Sequence, residues 1–249
     1  MVFAHRGGCA LGPENTLAAF DLGLQAGADG LELDVHLSAD GVPVVHHDAT
    51  LDRTTNARGA IAALTAAELA RVDAGYRFGD GGAYPFRNQG VGVPTLSEVL
   101  QRYRDVRIII EMKVDSAEMG AAVARAVRAS GATDRVCAAG YGPRSAAAAR
   151  AALPDMAASA CHPEVRLAVY RTWAWWPVKR PAYGGYQVPE TSGALRIVSP
   201  RFLRYAHEEG LRVQVWTVDQ EDGMRRLLGW GVDGLISNRP DVAVKVRNG

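Results

Sequence analysis

The chain has 249 residues, 48% of them apolar and 22% charged, with a formal net charge of +1. This is the composition of a globular chain with a sizeable core, long enough for one large domain or two small ones. Near-neutral charge excludes the broad electrostatic footprint of a nucleic-acid or acidic-membrane binder, and the absence of an 18-residue uncharged apolar window argues against a membrane span.

In chain order, Val2 to Ala4 is a short apolar strand that runs into His5-Arg6-Gly7-Gly8. Pro13-Glu14-Asn15-Thr16 opens a helix capped by Asn15 or Thr16, with Leu17, Phe20 and Leu24 at helical spacing and Gly27 as its stop. Gly30 to His36 is the next strand, so the first unit reads strand, helix, strand, which favours a parallel pair with a right-handed crossover. Alternation puts Glu32 and Asp34 on one face of that strand and Leu31, Leu33 and Val35 on the other. Two adjacent carboxylates repel unless a cation or a shared proton compensates. Ala39-Asp40-Gly41 then signals a hairpin, after which Val42 to Val45 ends in His46-His47-Asp48. Folding back about that turn brings position 47 beside position 32. The stretch reads either as part of a hydrolytic metal site or as the polar edge of an ordinary hairpin.

Residues 49–94 lose regular periodicity and are rich in Gly and Pro, with one short helix whose start carries the capping-box spacing Thr65 to Glu68. So long an excursion usually covers a functional face or is disordered. Thr95 to Glu98 repeats the capping box and opens a helix with Leu96, Val99, Leu100 and Tyr103 on one side. Strands and helices then alternate. Strands are expected at 107–112, 136–139, 157–161, 186–188, 212–217 and 233–236. Helices are expected at 117–130, 144–152 and 163–176, then after Ser199-Pro200 as far as Gly210, and from an Asp219 cap to Gly229–Gly231. Without the hairpin arm this makes eight strands over the chain, which points to a (β/α)8 TIM-type barrel with a hairpin and an irregular insertion after the second strand. The competing doubly wound sheet lacks a GxGxxG after its first strand. No repeat or linker divides the chain, so 1–249 reads as a single catalytic domain with 49–94 over its active-site face.

In such a barrel the site lies at the C-terminal ends of the strands. His5 and Arg6 follow strand one, Glu32 and Asp34 lie late in strand two, Glu111 and Lys113 end the strand at 107, and Trp216 ends the strand at 212. Acidic, basic and imidazole groups thus gather at one rim. Cys9, Cys137 and Cys161 form no zinc-type spacing or disulfide framework, and Met1–His5 has no basic segment ahead of a long apolar core. A reducing, cytoplasmic location is therefore expected.

At this point the chain resembles the glycerophosphodiester phosphodiesterase family over nearly its whole length. The resemblance runs through His5-Arg6-Gly7, Pro13-Glu14-Asn15-Thr16, Glu32-Leu33-Asp34, Asp40-Gly41 with Pro43-Val44-Val45, His47-Asp48 and Leu51-Asp52-Arg53-Thr54-Thr55. It continues in Pro94-Thr95-Leu96, Glu111-Met112-Lys113, Gln187-Val188-Pro189, Val215-Trp216-Thr217-Val218 and Gly231-Val232-Asp233-Gly234. One departure is Ser237-Asn238-Arg239-Pro240, where the family usually has Thr-Asp, so a loop-anchoring role is not carried over to position 238. The stretch 165–185 matches poorly, and substrate contacts there are not carried over either.

The resemblance implies a divalent metal on Glu32, Asp34 and Glu111, a hard all-oxygen set suited to Mg²⁺ or Ca²⁺. The residue-level alternative for Glu111 is a salt bridge to Lys113. By the same resemblance His5 and His47 are the catalytic acid–base pair, with His47 assigned as acid and His5 as base and the reverse assignment as the alternative. Arg6 and Lys113 face the phosphate, Glu14 contacts metal-bound water or substrate, and Trp216 walls the glycerol. His46 is expected to be packed, and His36, His162 and His207 to sit on the surface. Trp173, Trp175 and Trp176 are expected to pack or to form a hydrophobic lip. The implied activity is metal-dependent hydrolysis of small glycerophosphodiesters to sn-glycerol 3-phosphate and an alcohol. Cleavage of lysophospholipids is an alternative, and a non-catalytic phosphodiester-binding barrel or a glycosidase using Glu32 and Glu111 are readings of other classes.

Overall fold

In the computed structural model, which describes residues 1–174, 176, 181–193 and 195–249, parallel strands pair one after another in chain order. The strands are Val2–His5 (β1), Gly30–Leu37 (β2), Pro43–Val45 (β3), Arg107–Met112 (β4), Val136–Gly140 (β5) and Ala157–Ala158 (β6). They are followed by Gly185–Pro189 (β7), Thr191–Ser192 (β8), Leu195–Arg196 (β9), Arg212–Trp216 (β10) and Gly234–Ser237 (β11). The ladder runs β6-β5-β4-β2-β1-β11-β10-β7. A parallel bridge between Ser159 and Gly185, with Ala160 N–H donating to Gly185 O at 2.9 Å, closes it into a ring. The eight-strand parallel barrel is therefore the observed architecture.

Helices follow the strands: Leu17–Gln25 (α1), Ala66–Leu69 (α2), Leu96–Arg102 (α3), Ala117–Ala129 (α4), Pro143–Ala152 (α5) and His162–Ala174 (α6). Pro200–Glu208 (α7), Glu221–Trp230 (α8) and Pro240–Asn248 (α9) complete the outer layer. Thr16 caps α1 by accepting from Ala19 N–H, and both Thr-to-Glu boxes form, at Thr65/Glu68 and Thr95/Glu98. Strand alternation divides the core into layers. Leu31, Leu33, Val35, Ile108 and Ile110 face outward against Phe20, Val99, Leu100, Met119 and Val123. Each such side chain stabilises the fold by about 1.5–3 kcal/mol. The inner cluster is small, with Phe3, Ile109, Ala139 and Ile236, because the inward positions toward the strand ends are polar. The insertion at 49–94 has its own cluster around Leu51, Ile61, Leu69 and Val93.

Several details differ from the sequence reading. The hairpin register is Val35↔Val45, with Ser38 N–H donating to Val42 O across a turn in which Gly41 has φ +73°. Extended by two residues, that register sets 47 opposite 33 rather than 32. A three-residue loop with a left-handed glycine shifts the pairing by one relative to a two-residue turn. Asp219 does not cap α8, whose N-cap is Gln220 without a side-chain bond; its carboxylate is spent on the loop after β11. Helix α9 and the small β8–β9 ladder have no counterpart among the expected elements. Trp175 lies outside the described residues.

The start of the chain packs closely at Gly23, where an added Cβ would stand 2.4 Å from Gly7 O and 2.7 Å from Ala4 Cβ. Gly23→Ala is expected to push α1 off the loop that follows His5 and to destabilise the protein by about 1–3 kcal/mol. An unchanged denaturant midpoint would show that the helix has room to move.

Candidate active site

Parallel pairing sets His5 beside Glu32 and Asp34 beside Glu111, so residues from three strands converge at the C-terminal rim. Carboxylate oxygens of Glu32, Asp34 and Glu111 all lie within 4.8 Å of one another. Burial, followed by the charges of Asp34 and Glu111, raises the Glu32 carboxyl well above its ordinary value. Burial also raises Glu111, with Lys113 opposing and Asp34 adding. Burial works against the charge on Lys113, yet Asp34 and Glu111 hold its ammonium above the usual range, with Nζ 3.4 Å from Asp34 Oδ1 and 3.3 Å from Glu111 Oε1.

Asp34 is held from two sides. Asn15 Nδ2 donates to Oδ2 at 2.9 Å and Asn15 Oδ1 accepts from Asp34 N–H at 3.2 Å. Arg6 Nε lies 3.3 Å from the same Oδ2. Both Arg6 (φ +51°) and Asn15 (φ +58°) occupy left-handed backbone, which non-glycine residues rarely adopt and which tends to mark functional sites. Among the described residues the buried Asp34 Oδ1 accepts no hydrogen bond, with Lys113 Nζ 3.4 Å away. Three crowded carboxylates with an orphaned, inward oxygen form a donor set that fits a hard divalent cation.

A stability consequence follows from the signs. Glu32 and Glu111 ionise in the folded protein above their ordinary 4.5, so their contribution is fully present below that value and lost as pH rises through the raised one. Glu14, pushed up by burial but held low by Arg53 and Arg6, and Asp48, held low by Arg53 and His47, act oppositely and lose their contribution as pH falls. The unfolding temperature of chelated protein should therefore drop as pH rises above the ordinary carboxylate value of 4.5, and added Mg²⁺ or Ca²⁺ should restore more of it the higher the pH. A flat profile with no metal effect would contradict this account.

The imidazoles are positioned by separate networks. His5 Nδ1 hydrogen-bonds Asn238 Oδ1 at 2.6 Å, and its Nε2 lies 3.8 Å from Glu32 Oε2. Burial is the main cause that lowers His5 from its ordinary value. His47 Nδ1 bonds Asp48 Oδ1 at 2.6 Å. Arg53 donates to Asp48 Oδ2 at 2.6 Å and to both oxygens of Glu14 at 2.8 and 2.7 Å, and Glu14 also accepts from Arg6 at 3.1 Å. Glu14 thus ties the insertion to the loop after β1.

His5, Arg6, Glu32, His47, Glu111 and Lys113 line one end of a cavity of about 430 Å³, and Trp216 joins its wall from the inner cluster. The far wall carries Val165, Val169, Tyr170, Leu195 and Ile197. Its rim has Tyr141 stacked on His162, with centroids 4.9 Å apart, and Tyr170 edge-on to Trp173. Trp173 and Trp176 are exposed.

Three placements correct the sequence reading. His36 is buried rather than superficial, and its Nε2 hydrogen-bonds His47 O at 3.0 Å; the same-face alternation from 32 and 34 is the signal that points to it. Asn238 does anchor its loop, through Asp219. Arg53, quoted in a motif but given no role, joins two acidic site residues. His46 is buried with Nε2 on Thr50 O, His162 and His207 are exposed, and His207 bonds Asp233.

A family model described as the glycerophosphoryl diester phosphodiesterase family matches residues 5–242. The chain is 30% identical over 259 residues to a glycerophosphodiester phosphodiesterase of Caldanaerobacter subterraneus subsp. tengcongensis, covering all of this chain and 98% of that one. It superimposes on the glycerophosphodiester phosphodiesterase from Agrobacterium tumefaciens with a TM-score of 0.79 at 29% identity, over 98% of each chain. An Oleispira antarctica phosphodiesterase, solved with its product sn-glycerol-3-phosphate, matches with a TM-score of 0.79 at 25% identity, over 100% of this chain and 97% of that one.

Proposed function

Because this chain belongs to the glycerophosphoryl diester phosphodiesterase family, we propose that it hydrolyses glycerophosphodiesters to sn-glycerol 3-phosphate and an alcohol by metal-dependent His/His acid–base catalysis. Membership makes the chain a phosphoric diester hydrolase. The observation that most supports the metal and the histidine pair is the convergence of three carboxylates: Asp34 with its orphaned oxygen, and Glu32 and Glu111, which line one cavity with His5 and His47.

In this reading Glu32, Asp34 and Glu111 hold Mg²⁺ or Ca²⁺. When bound, the ion would polarise the phosphoryl oxygens and offset the three carboxylate charges. His5 takes the proton of the attacking oxygen through Nε2. His47 delivers a proton to the leaving alkoxide, after which its ring is neutral and still bonded to Asp48. Lys113 and the remaining donors of Arg6 face the negative charge of the transition state. Glu14 acts through Arg6 and Arg53, and Trp216 walls the glycerol. The whole chain serves as one catalytic domain, with 49–94 carrying Arg53 to the site. Among the described residues no helix is long and apolar enough to cross a membrane.

The apolar far wall with its aromatic rim favours lysophospholipids as a second substrate reading. Glycerophosphocholine and lysophosphatidylcholine, assayed side by side with and without a chelator, separate the two. Chelator-sensitive release of glycerol 3-phosphate from the first is expected. Full turnover in the chelated enzyme would overturn metal dependence and revive a metal-free barrel hydrolase.

A further inference from the structure

The loop after β11 holds an amide whose orientation is dictated on every side. Asp219 Oδ2 lies 2.7 Å from Asn238 Nδ2, and Asp219 Oδ1 accepts from Asn238 N–H at 2.8 Å and from Ser237 Oγ at 3.0 Å. A carboxylate only accepts, so the atom facing it is the NH₂ end of the amide. The other end, Oδ1, lies 2.6 Å from His5 Nδ1 and 2.7 Å from Cys9 Sγ. Burial pushes the Cys9 thiol up to about 11, so it remains a donor at neutral pH and fills one lone pair of Oδ1. A carbonyl oxygen has no proton to give, which leaves the proton of the His5 contact on Nδ1. The chemistry of the neighbours therefore sets both the amide orientation and the tautomer.

We propose that Asn238, oriented by Asp219, is a positioning residue that locks His5 in the Nδ1-protonated tautomer. The Nε2 lone pair is thereby directed toward Glu32 and the cavity, where a proton acceptor is needed. The inference rests on His5 being the base. It also explains why an amide suits position 238 in this chain, between a carboxylate that only accepts and an imidazole that donates. An aspartate would still accept from His5, but its second oxygen would meet Asp219 where the amide now donates. Asp219 and Asn238 form a matched pair in which one must donate and one must accept.

The pairing can be swapped. With Asp219→Asn and Asn238→Asp together, the amide introduced at 219 would donate through its NH₂ to the carboxylate introduced at 238. Its carbonyl oxygen would keep the Ser237 and backbone contacts. The experiment combines ¹⁵N imidazole NMR of the full chain at about pH 8, where an ordinary histidine is neutral, with steady-state kinetics on glycerophosphocholine. The wild-type His5 is expected to show a protonated Nδ1 and an unprotonated Nε2. Asn238→Leu is expected to lose that signature and to lower kcat by about 10²-fold, with KM changed less than about twofold. Asn238→Asp is expected to be impaired, and the double variant to regain most of kcat together with the wild-type NMR pattern. A wild-type His5 protonated on Nε2, or a double variant no better than Asn238→Asp, overturns the proposal. If Asn238→Leu does not fold, the wild-type spectrum and the swapped pair still decide. If His5→Ala keeps full activity while the tautomer pattern holds, the base assignment fails and the lock stands as geometry alone.

Discussion

His47→Ala is expected to lower kcat by about 10²–10⁴-fold with little change in KM. The ring is not a general surface imidazole. Its backbone carbonyl is held by His36, its Nδ1 by Asp48, and Asp48 by Arg53, so a loop residue is given the rigidity of the barrel. In the proposed acid role such a chain of partners would serve proton delivery from Nε2, because an acid misplaced by even an ångström loses most of its effect. The leaving group provides the decisive measurement. A diester with a p-nitrophenolate leaving group needs little protonation, so the defect should shrink strongly on that substrate. An equal defect on both substrates would remove His47 from the acid role, and more than a tenth of wild-type kcat on the natural diester would remove it from catalysis.

Glu32→Gln carries the second large effect, and it has two signs. The substitution keeps the shape and an acceptor for Arg6 N–H, which lies 3.1 Å from Glu32 Oε2. It removes one of three crowded charges from a site where Glu32 is only 4% exposed. In the chelated protein this relieves burial and repulsion, so the unfolding temperature at neutral pH should rise above wild type. With metal present the order should reverse, because the variant has lost one anionic ligand and the wild type gains about 2.7 kcal/mol at a hundredfold excess of ligand over Kd. Activity should fall by roughly 10³-fold, corresponding to about 4 kcal/mol of transition-state stabilisation. Calorimetric titration of both proteins with Mg²⁺ and Ca²⁺ and a paired thermal melt test this. Wild-type metal affinity in Glu32→Gln would exclude Glu32 from the ligand set, and a chelated variant less stable than chelated wild type would refute the repulsion argument.

Glu32 and Asp34 are visible as a pair because strand alternation alone puts positions two apart on one face, and Glu111 with Lys113 repeats the pattern on a second strand. Those side chains do converge. Alternation places His36 on the same face of β2 as Glu32 and Asp34, but only the position of the His47 carbonyl, 3.0 Å from its Nε2, shows its task. Arg53 is legible as a motif and illegible as a role, since its partners Glu14 and Asp48 come together only when the insertion folds over the barrel.

What the amino-acid order determines by itself is periodicity: which residues share a face, where caps and turns break the chain, and hence the eight-fold alternation of strand and helix with its polar rim. These are local properties, set within a few residues by backbone geometry and side-chain chemistry. Tertiary structure alone decides register and partnership. The one-residue shift of the hairpin depends on the conformation of Gly41, and the diversion of Asp219 from a helix cap to Asn238 depends on β10 and β11 lying side by side. His5 and Asn238 are 233 positions apart, and their hydrogen bond exists because the first strand pairs with the last when the barrel closes. No local pattern carries that information, because the energy that orients the amide comes from groups that meet only in the folded ring.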